Sequence, residues 1–348
     1  MATFYTLQIQ QVIKETANAV SLVFDIPTNL KDIFSFKAGQ YITLKTTLNG
    51  KDIRRAYSIC SSPNSNKLKV TVKAIKDGNF SVFATTKLKN GDTIEVATPE
   101  GKFILEPQPA NNYLGVVAGS GITPVLAMAK TVLEKENTST FTLIYGNKSV
   151  KDTIFYTELN ELIIKYPNQF NLHFIFSKEQ QPNCLFGRID KENTNFYVKN
   201  KYKNIRFDAA FLCGPEEMIQ LVSETLQENN IAKKNIHFEL FTSNPKNNNL
   251  IDIPDEKTEI TVLLDDEKTT FTMDKKDDIL SASLHQKLAP PYSCQGGVCS
   301  SCLAKVTEGK AIMTKNNILT DDEVIEGFIL TCQAHPITQK VTVDFEEV

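Results

Sequence analysis

Four cysteines near the C-terminus have the spacing of a metal-cluster site. They follow a C-x4-C-x2-C pattern, with 29 residues between the third cysteine and the last: Cys294, Cys299, Cys302 and Cys332. This arrangement is typical of a [2Fe–2S] cluster, in which one loop supplies three thiolates and a second segment supplies the fourth. Gly296 and Gly297 give the loop the backbone freedom to turn its N–H groups toward the cluster sulfides. The pattern therefore predicts a carrier of single electrons.

Two other uses of these cysteines stay open at this point. A structural zinc site usually combines two C-x2-C pairs or mixes cysteine with histidine, and the sequence contains no second C-x2-C pair. A disulfide framework is typical of short secreted chains, whereas this chain has 348 residues. A protein without redox activity, whose cysteines hold zinc in a structural module, is the alternative from a different functional class.

Length and composition indicate an ordinary globular protein of two or three domains. Hydrophobic residues make up 41% and charged residues 23% of the chain. No apolar run approaches the roughly 20 residues of a membrane-spanning helix, so we expect no membrane association. The first residues lack the charged segment followed by an apolar segment that is typical of a signal peptide. The seven cysteines suit a reducing compartment. We therefore expect a cytoplasmic location.

The charge is unevenly distributed along the chain. Residues 258–348 contain 15 acidic and 8 basic residues, whereas residues 1–257 contain 26 and 30, so their net charges are −7 and +4. An acidic carrier domain could dock reversibly on more basic surfaces. No run of basic residues interleaved with aromatic residues occurs, and we expect no nucleic-acid partner.

The N-terminal third predicts a small antiparallel barrel. Short segments rich in β-branched and aromatic residues alternate with turn signals such as Asn49–Gly50 and Asn90–Gly91–Asp92. The predicted strands are Tyr5–Ile13, Val20–Ile26, Tyr41–Leu48, Asp52–Cys60, Lys67–Lys76 and Thr93–Ala97.

Two segments of this barrel carry groups that suit a phosphate-containing ligand with an aromatic ring. In R-x-Y-S, Arg55 can bind phosphate through two hydrogen bonds, Tyr57 can cover an aromatic ring, and Ser58 can bond a ring nitrogen. Alternation on a strand places Arg55 and Tyr57 on one face and Ser58 on the other. About 20 residues later a glycine turn opens a helix whose free N–H groups suit a pyrophosphate. Its candidate residues are Lys73, Gly78, Phe80 and Ser81.

A strand–turn–helix unit follows the barrel. The apolar strand Leu114–Ala118 runs into G-S-G-I-T-P. Gly119 and Gly121 permit a tight turn and close approach of the backbone to a phosphate. The sequence predicts Thr123 as the N-cap and Pro124 as the first residue of a helix that extends to about residue 135. The third glycine of the G-x-G-x-x-G dinucleotide motif is absent.

Strands and helices then alternate, which predicts a parallel sheet. Gly119, Ser177 and Cys213 each follow a predicted strand, and binding groups in such sheets gather at the carboxyl ends of strands. The further predicted strands are Thr140–Tyr145, Leu172–Phe176, Ala209–Leu212 and Ile236–Leu240, with helices near Phe155–Ile164 and over Glu216–Glu228.

The remaining sequence predicts a linker and a third domain. Residues 242–257 are polar, with two prolines and a run of asparagines, as in a flexible linker. A hairpin of Glu259–Leu264 with Thr269–Met273 and a helix Ile279–His285 precede the cysteine loop. The expected domains are residues 1–108 (the barrel), 109–241 (the parallel-sheet domain), 242–257 (linker) and 258–348 (cluster domain).

Taken together, these motifs resemble a known family. The cysteine pattern, R-x-Y-S, G-x-G-x-T-P and C-G-P occur in the order found in ferredoxin–NADP⁺ reductase-type modules followed by a plant-type ferredoxin. The chain is most similar to the reductase components of multicomponent oxygenases, particularly those of phenylacetyl-CoA epoxidases. The resemblance implies an antiparallel β-barrel that binds FAD, an α/β parallel-sheet domain that binds NAD(P)H, and an α+β (β-grasp) ferredoxin domain that binds [2Fe–2S].

The resemblance also implies roles for individual residues. Tyr57 would lie against the isoalloxazine ring and Ser58 would approach its N5 atom, while Arg55 would pair with the pyrophosphate. Lys73, Gly78, Phe80 and Ser81 match the second flavin-phosphate segment, although Asp77 replaces a glycine that is frequent there. The residues that would border the nicotinamide nucleotide are Gly119, Gly121, Thr123, Pro124, Cys213, Gly214 and Pro215.

The same resemblance leaves the choice between NADPH and NADH open. The family usually has Ser-Arg at the site of the 2′-phosphate, and this chain has Ser177 and Lys178, with Arg188 further on. Lysine is a compact point charge and cannot form the paired hydrogen bonds of arginine. The adjacent Glu179 has the wrong sign for a phosphate. We expect NADPH to be favoured over NADH.

The expected function follows from electron counting. NAD(P)H releases two electrons as hydride and a [2Fe–2S] cluster accepts one, so a flavin between them is required. We expect a reductase that passes electrons from NAD(P)H through FAD and the cluster to a separate oxygenase, by resemblance a phenylacetyl-CoA epoxidase. The alternatives within the enzyme class are an FMN-containing aromatic dioxygenase reductase and a diaphorase whose cluster is only regulatory.

Overall fold

The computed structural model describes residues 3–241, 253, 255–316 and 318–348. The predicted linker, 242–257, lies largely outside the described residues. Two compact units are present: residues 5–53 and 57–241 form the larger one, and the C-terminal residues belong to the other. Each unit is described separately.

The N-terminal strands form the predicted antiparallel barrel. The sheet order is β4-β3-β6-β1-β2-β5, and the pairs β1–β2, β2–β5 and β3–β6 are antiparallel. A bridge between Ile59 and Val70 joins the two edges of the sheet and closes it. The elements are β1 (Phe4–Thr16), β2 (Ala19–Asp25), β3 (Tyr41–Leu48), β4 (Lys51–Ser58), β5 (Leu68–Lys73), α1 (Asn79–Thr86) and β6 (Thr93–Ala97).

Alternation of side chains explains how the barrel is filled. On β5, Leu68, Val70 and Val72 are fully buried. Lys69, which lies between the first two, and Lys73, which ends the strand, are half-buried. A strand with this period of two places one apolar face inward and the other outward. Phe80, from α1, is also buried and belongs to the same core cluster, so the helix covers the barrel beside β5.

The nucleotide domain contains a parallel six-stranded sheet, as predicted. Its order is β10-β9-β8-β7-β11-β12, and all its pairings are parallel. The short strand β10, helix α4 and a π-helical segment, Phe196–Lys201, were not predicted. The elements are β7 (Asn112–Ala118), α2 (Ile122–Lys135), β8 (Thr140–Asn147), α3 (Tyr156–Lys165), β9 (Phe170–Phe176), β10 (Leu185–Phe186), α4 (Lys191–Asn195), β11 (Ala209–Cys213), α5 (Glu216–Glu228) and β12 (Ile236–Glu239).

The predicted start of α2 is wrong. Gly119–Gly121 forms a 3-10 turn, and the first α-helical residue is Ile122, so Gly121 occupies the cap position. Thr123 is already inside the helix, where its hydroxyl donates to the carbonyl of Ser120 at 3.0 Å. Pro124 is then the third helical residue. It is tolerated because the first four N–H groups of a helix have no partner within it.

The C-terminal unit is a mixed sheet with a helix packed on it. The sheet order is β14-β13-β19-β15-β17; β13 and β19 are parallel, and the other pairs are antiparallel. Ile279 and Ala282 of α6 pack into its core, which gives the expected β-grasp arrangement. The elements are β13 (Lys257–Leu264), β14 (Glu267–Asp274), α6 (Ile279–His285), β15 (Leu303–Glu308), β16 (Ala311–Met313), α7 (Asp321–Ile325), β17 (Phe328–Leu330), β18 (Ala334–Pro336) and β19 (Lys340–Asp344). Among the described residues, no helix combines the length and apolarity needed to cross a bilayer.

Candidate active site and cluster site

The carboxyl edge of the parallel sheet gathers the predicted nucleotide-binding residues. Gly119 follows β7, Ser177 follows β9, and Cys213 is the last residue of β11. A Cβ atom on Gly121 would lie 2.2 Å from the carbonyl oxygen of Cys213 and 3.1 Å from its sulfur. Only glycine allows this contact, which brings the start of α2 against the end of β11. The turn and the cysteine therefore form one continuous surface.

Tyr57 and Phe80 form the aromatic part of the barrel site. Their ring centroids are 5.5 Å apart and tilted by 35°. Phe80 is fully buried, whereas Tyr57 is half-buried. The buried ring supports one side of Tyr57, and the exposed part of Tyr57 can stack on a planar ligand. This arrangement fits an isoalloxazine ring.

The glycine turn before α1 is tightly built. A Cβ atom on Gly78 would lie 2.3 Å from the hydroxyl of Ser81 and 2.5 Å from the side chain of Ile75. The same hydroxyl accepts the backbone N–H of Ile75 at 3.2 Å. Asp77, where glycine is frequent in similar sequences, has a φ of 59°, a left-handed conformation that aspartate tolerates better than most residues. The departure at Asp77 therefore leaves the turn intact.

A buried serine–carboxylate pair completes the site, and its acidic member was not predicted. Ser58, the last residue of β4, donates to Glu239 at the end of β12, with 3.2 Å between the two oxygens. Ser58 is 5% exposed and Glu239 is 8% exposed. Burial raises the pKa of Glu239 to about 8, and the hydrogen bond from Ser58 opposes this shift only partly. Burial and the nearby Glu239 also raise the pKa of Cys213 well above its usual value.

One lysine approaches the glycine turn at the start of α2. The Lys73 ammonium would lie 3.5 Å from a Cβ atom on Gly119. Burial, followed by the charge of Lys148, lowers the pKa of Lys73, and Asp152 acts in the opposite direction. A cation close to a glycine turn is suited to phosphate oxygens.

The predicted 2′-phosphate residues lie on the neighbouring strand ends. The backbone N–H of Lys178 donates to the carbonyl of Lys148 at 2.9 Å, and both side chains are exposed. The carboxylate of Glu179 accepts the backbone N–H of Val150 at 2.9 Å. This hydrogen bond holds the carboxylate of Glu179, whose charge would repel a phosphate, at the start of a short 3-10 helix, Val150–Asp152. Arg188 is exposed on the segment after β10.

Some predicted residues occupy positions without a distinctive contact. The side chain of Arg55 is exposed and donates to the carbonyl of Arg54 at 2.7 Å. Gly214 packs against Ala118: a Cβ atom added to Gly214 would lie 3.2 Å from the Cβ atom of Ala118. Pro215 is the cap residue of α5. Their roles in binding stay predictions.

The four cysteines of the C-terminal unit lie next to one another. Cys299, Cys302 and Cys332 are buried and Cys294 is half-buried. Hydrogen bonds from Cys299 and then Cys332 lower the pKa of Cys294. The interaction with Cys332 likewise lowers the pKa of Cys302. The sulfurs thus form one connected series in which Cys294 contacts Cys299 and Cys332, and Cys332 contacts Cys302.

The arrangement of these four sulfurs does not match a site for a single metal ion. Within the described part of the chain, no group of three or more cysteine, histidine or acidic side chains converges on one metal position. A tetrahedral zinc site requires such a group, whereas each iron of a [2Fe–2S] cluster takes two cysteines. The backbone N–H of Gly296 donates to the Cys294 sulfur at 3.3 Å, and Gly297 has a φ of 68°. The loop therefore turns the N–H of Gly296 toward a cysteine sulfur, and the contact of its N–H groups with cluster sulfides stays a prediction.

Comparison with known proteins identifies three domain types along the chain. The oxidoreductase FAD-binding domain matches residues 6–104, the oxidoreductase NAD-binding domain matches residues 116–224, and the 2Fe-2S iron-sulfur cluster binding domain matches residues 262–336. These matches confirm FAD, NAD(P)H and a [2Fe–2S] cluster as the cofactors. The zinc alternative is wrong.

Similar proteins match the chain over nearly their full length. The chain is 38% identical to one of the subunits of the 1,2-phenylacetyl-CoA epoxidase of Escherichia coli (strain K12), over 99% of both chains. It is 31% identical to the ferredoxin reductase component of 3-ketosteroid-9-alpha-monooxygenase of Rhodococcus rhodochrous, over 97% of this chain and 96% of that one. The solved structure of phthalate dioxygenase reductase has the same fold, with a TM-score of 0.63, 24% identity and 98% coverage of both chains.

Proposed function

Since the chain belongs to the family of NAD(P)H-dependent oxygenase reductases that contain FAD and a [2Fe–2S] cluster, we propose that its acceptor is a phenylacetyl-CoA epoxidase. The carrying observation is the identity of 38% to a component of such an enzyme over 99% of both chains. Identity to the ketosteroid and glycine betaine monooxygenase reductases is lower, 31% and 27%. The four histidines of the chain are widely scattered, so oxygen activation belongs to the partner.

We assign the hydride-transfer site to the contact between barrel and nucleotide domain. Bound FAD supplies the group that accepts hydride and returns single electrons, and the cluster carries those electrons singly. Tyr57, supported by Phe80 at 5.5 Å, would hold the flavin ring. Cys213 and the Gly119–Gly121 turn, which are in contact, would hold the nicotinamide. The flavin phosphates would be bound by Arg55, Lys73 and the turn before α1.

The Ser58–Glu239 pair would control protons at this site. Because the pKa of Glu239 is raised to about 8, its carboxyl holds a proton at neutral pH. The hydroxyl of Ser58 lies 3.2 Å from that carboxyl and would bond the flavin on its other side. A buried, protonated carboxyl near neutral pH is the property expected of a proton-handling group.

The single-electron exit would be the cluster held by Cys294, Cys299, Cys302 and Cys332. The contacts among their sulfurs and the N–H of Gly296 support this assignment. We place the protein in the cytoplasm, because all seven cysteines are free thiols in the structure and a cluster of this kind requires reduced thiolates.

NADPH is the proposed electron donor. Lys148 and Lys178 are exposed on adjacent strand ends, and the carboxylate of Glu179 accepts the backbone N–H of Val150. Two lysines on neighbouring strand ends would favour a 2′-phosphate over a ribose hydroxyl. Ser177 and Arg188 would complete the adenosine side of the site.

The test is reconstitution with a purified epoxidase oxygenase component. With NADPH, the chain should support epoxidation of phenylacetyl-CoA at a rate that saturates with the oxygenase component. Ketosteroid and glycine betaine monooxygenases serve as control acceptors. Equal or faster turnover with a control acceptor would show that the proposed partner is incorrect.

A further inference from the structure

Helix α2 is attached to the barrel by charged residues as well as apolar ones. Lys130 and Glu134 are one turn apart and therefore on the same side of the helix. The carboxylate of Glu134 accepts hydrogen bonds from Ser62 and, at 3.2 Å, from Asn64. Both partners lie in the barrel segment between β4 and β5, so this side of α2 faces the barrel.

Lys130 takes part in a second connection to the barrel. The carboxylate of Glu158, on α3, accepts from Lys130 through one oxygen and from Lys69 of β5, at 3.3 Å, through the other. The side chains of Lys69, Lys130 and Glu158 are 12%, 14% and 31% exposed. Glu158 thus joins a barrel strand to the helix that begins at the nucleotide turn.

Glu15, on β1, balances the charge of this group. It interacts electrostatically with Lys69, Lys130 and Glu158 and accepts the hydroxyl of Ser21 at 2.5 Å. Two carboxylates and two ammonium groups then give no net charge. We call Glu15, Lys69, Lys130 and Glu158 the charge bridge.

Apolar packing holds α2 against the barrel, and the ion pairs add a directional constraint to it. A Cβ atom on Gly39 would lie 2.5 Å from the terminal carbon of Met128, and Ala38, Cys60 and Leu126 share one core cluster. Apolar attraction is non-directional and tolerates small rotations. Ion pairs require a defined geometry, and the desolvation of their charges makes them poor sources of net stability. The charge bridge is therefore better suited to orientation than to stability.

We propose that the charge bridge is a positioning device for hydride transfer. It fixes the rotation of α2 on the barrel and so sets the position of the Gly119–Gly121 turn relative to Tyr57 and Ser58. None of its residues lies in the predicted binding site, so each acts through α2. The kinetic part of this inference rests on the proposed function, whereas the orientation of α2 can be measured independently.

The test compares variants of the bridge with a matched surface pair. Glu158→Gln removes the shared acceptor, and Lys69→Arg keeps the charge. Glu228→Gln is the control, because Glu228 pairs with Lys191 at 2.8 Å on the surface of the same domain, where both side chains are half exposed. All proteins are studied with their cofactors bound.

Two readouts are expected to change together. Hydrogen–deuterium exchange of the peptide 119–135 should be about tenfold faster in Glu158→Gln, because the helix loses a directional constraint. Stopped-flow reduction of the flavin by NADPH should slow about tenfold, while the nucleotide dissociation constant and the flavin content stay within about twofold. Lys69→Arg and Glu228→Gln should match the unaltered protein in both readouts.

A double variant covers the case in which Glu158→Gln does not fold. Lys69→Met with Glu158→Met leaves Glu15 and Lys130 as a neutral pair, so no unbalanced charge remains. It should show the same faster exchange and slower flavin reduction. Unchanged exchange and an unchanged reduction rate in this variant would overturn the inference. If the unaltered protein does not reduce its flavin with NAD(P)H, the proposed function fails, and the exchange measurement still decides whether the bridge orients α2.

Discussion

The hydroxyl of Ser58, at the end of a barrel strand, donates a 3.2 Å hydrogen bond to the buried carboxyl group of Glu239, at the end of the last strand of the parallel sheet. These residues are 181 positions apart in the sequence, and no sequence motif contains both of them. Their contact lies where the flavin domain meets the nucleotide domain. Flavin reduction and the pH dependence of stability should both depend on it.

Replacing Ser58 with alanine should slow flavin reduction by NADPH. The variant loses the hydroxyl that donates to the Glu239 carboxyl and that is proposed to bond the flavin, and loss of a proton-handling contact typically costs about a hundredfold or more. Stopped-flow measurement at saturating NADPH gives the rate. Ser61→Ala is the matched control, because Ser61 is equally buried but its hydroxyl donates to the carbonyl of Lys67. A similar loss in both variants would contradict the assignment.

The buried carboxyl of Glu239 should make stability decrease with rising pH. Its pKa is about 8 in the folded protein, against 4.5 for a free side chain. Between these values the folded state holds a proton that the unfolded state releases, so the free energy of unfolding falls by up to about 1.4 kcal/mol per pH unit. This loss of stability is absent at a pH below the pKa of the free side chain and complete at a pH above the pKa in the folded protein.

Urea unfolding at pH 5, 6.5 and 8 provides the measurement. Glu239→Gln cannot ionise, so its free energy of unfolding should change less over this range than that of the unaltered protein. Glu228→Gln, at an exposed position, should keep the original slope. Equal slopes in all three proteins would show that Glu239 is ionised in the folded state at neutral pH.

Replacing Cys332 with serine should separate the two redox functions of the chain. We expect loss of the cluster absorbance, because Cys332 pairs with Cys302 and also contacts Cys294. Flavin content and NADPH-driven dye reduction should stay within about twofold, and electron delivery to a one-electron protein acceptor should be abolished. Cys184→Ser is the control, since Cys184 is a free thiol of the nucleotide domain. Delivery that persists without the cluster would support the diaphorase alternative.

Lys178 should contribute to selection of NADPH. Removing an exposed cation from a phosphate contact should raise the KM for NADPH about tenfold and leave the KM for NADH within about twofold. Steady-state dye reduction by Lys178→Ala with each nucleotide gives both values. Lys191→Ala changes a lysine already paired with Glu228 and should affect neither. An equal rise for both nucleotides would place Lys178 outside the 2′-phosphate site.

Features encoded by neighbouring residues could be predicted from the sequence. The spacing of Cys294, Cys299 and Cys302 lies within a single loop, and alternation along β5 fixes which residues enter the barrel. The strand ends at Gly119 and Cys213 also followed from the pattern. The start of α2 was misplaced at Thr123, because a 3-10 turn and an N-cap have similar local composition and the helix begins at Ile122.

Features that depend on distant residues could not be predicted. Glu239 lies in a short strand with no recognisable motif, and its importance appears only when burial places it against Ser58. The charge bridge likewise draws one residue from each of β1, β5, α2 and α3, and its two lysines look like ordinary surface charges in the sequence. A search for acidic residues at the ends of predicted strands would have found Glu239 as a candidate.

Anaerobic titration with NADPH, followed by visible absorbance and electron paramagnetic resonance, tests the central claim most directly. We expect NADPH to bleach the flavin absorbance and to produce a reduced-cluster signal of roughly one spin per chain. The same titration of Cys332→Ser should bleach the flavin without that signal. A flavin that NADPH does not bleach, or a bleached flavin with no cluster signal in the unaltered protein, would contradict electron transfer from NAD(P)H through FAD to the four-cysteine cluster.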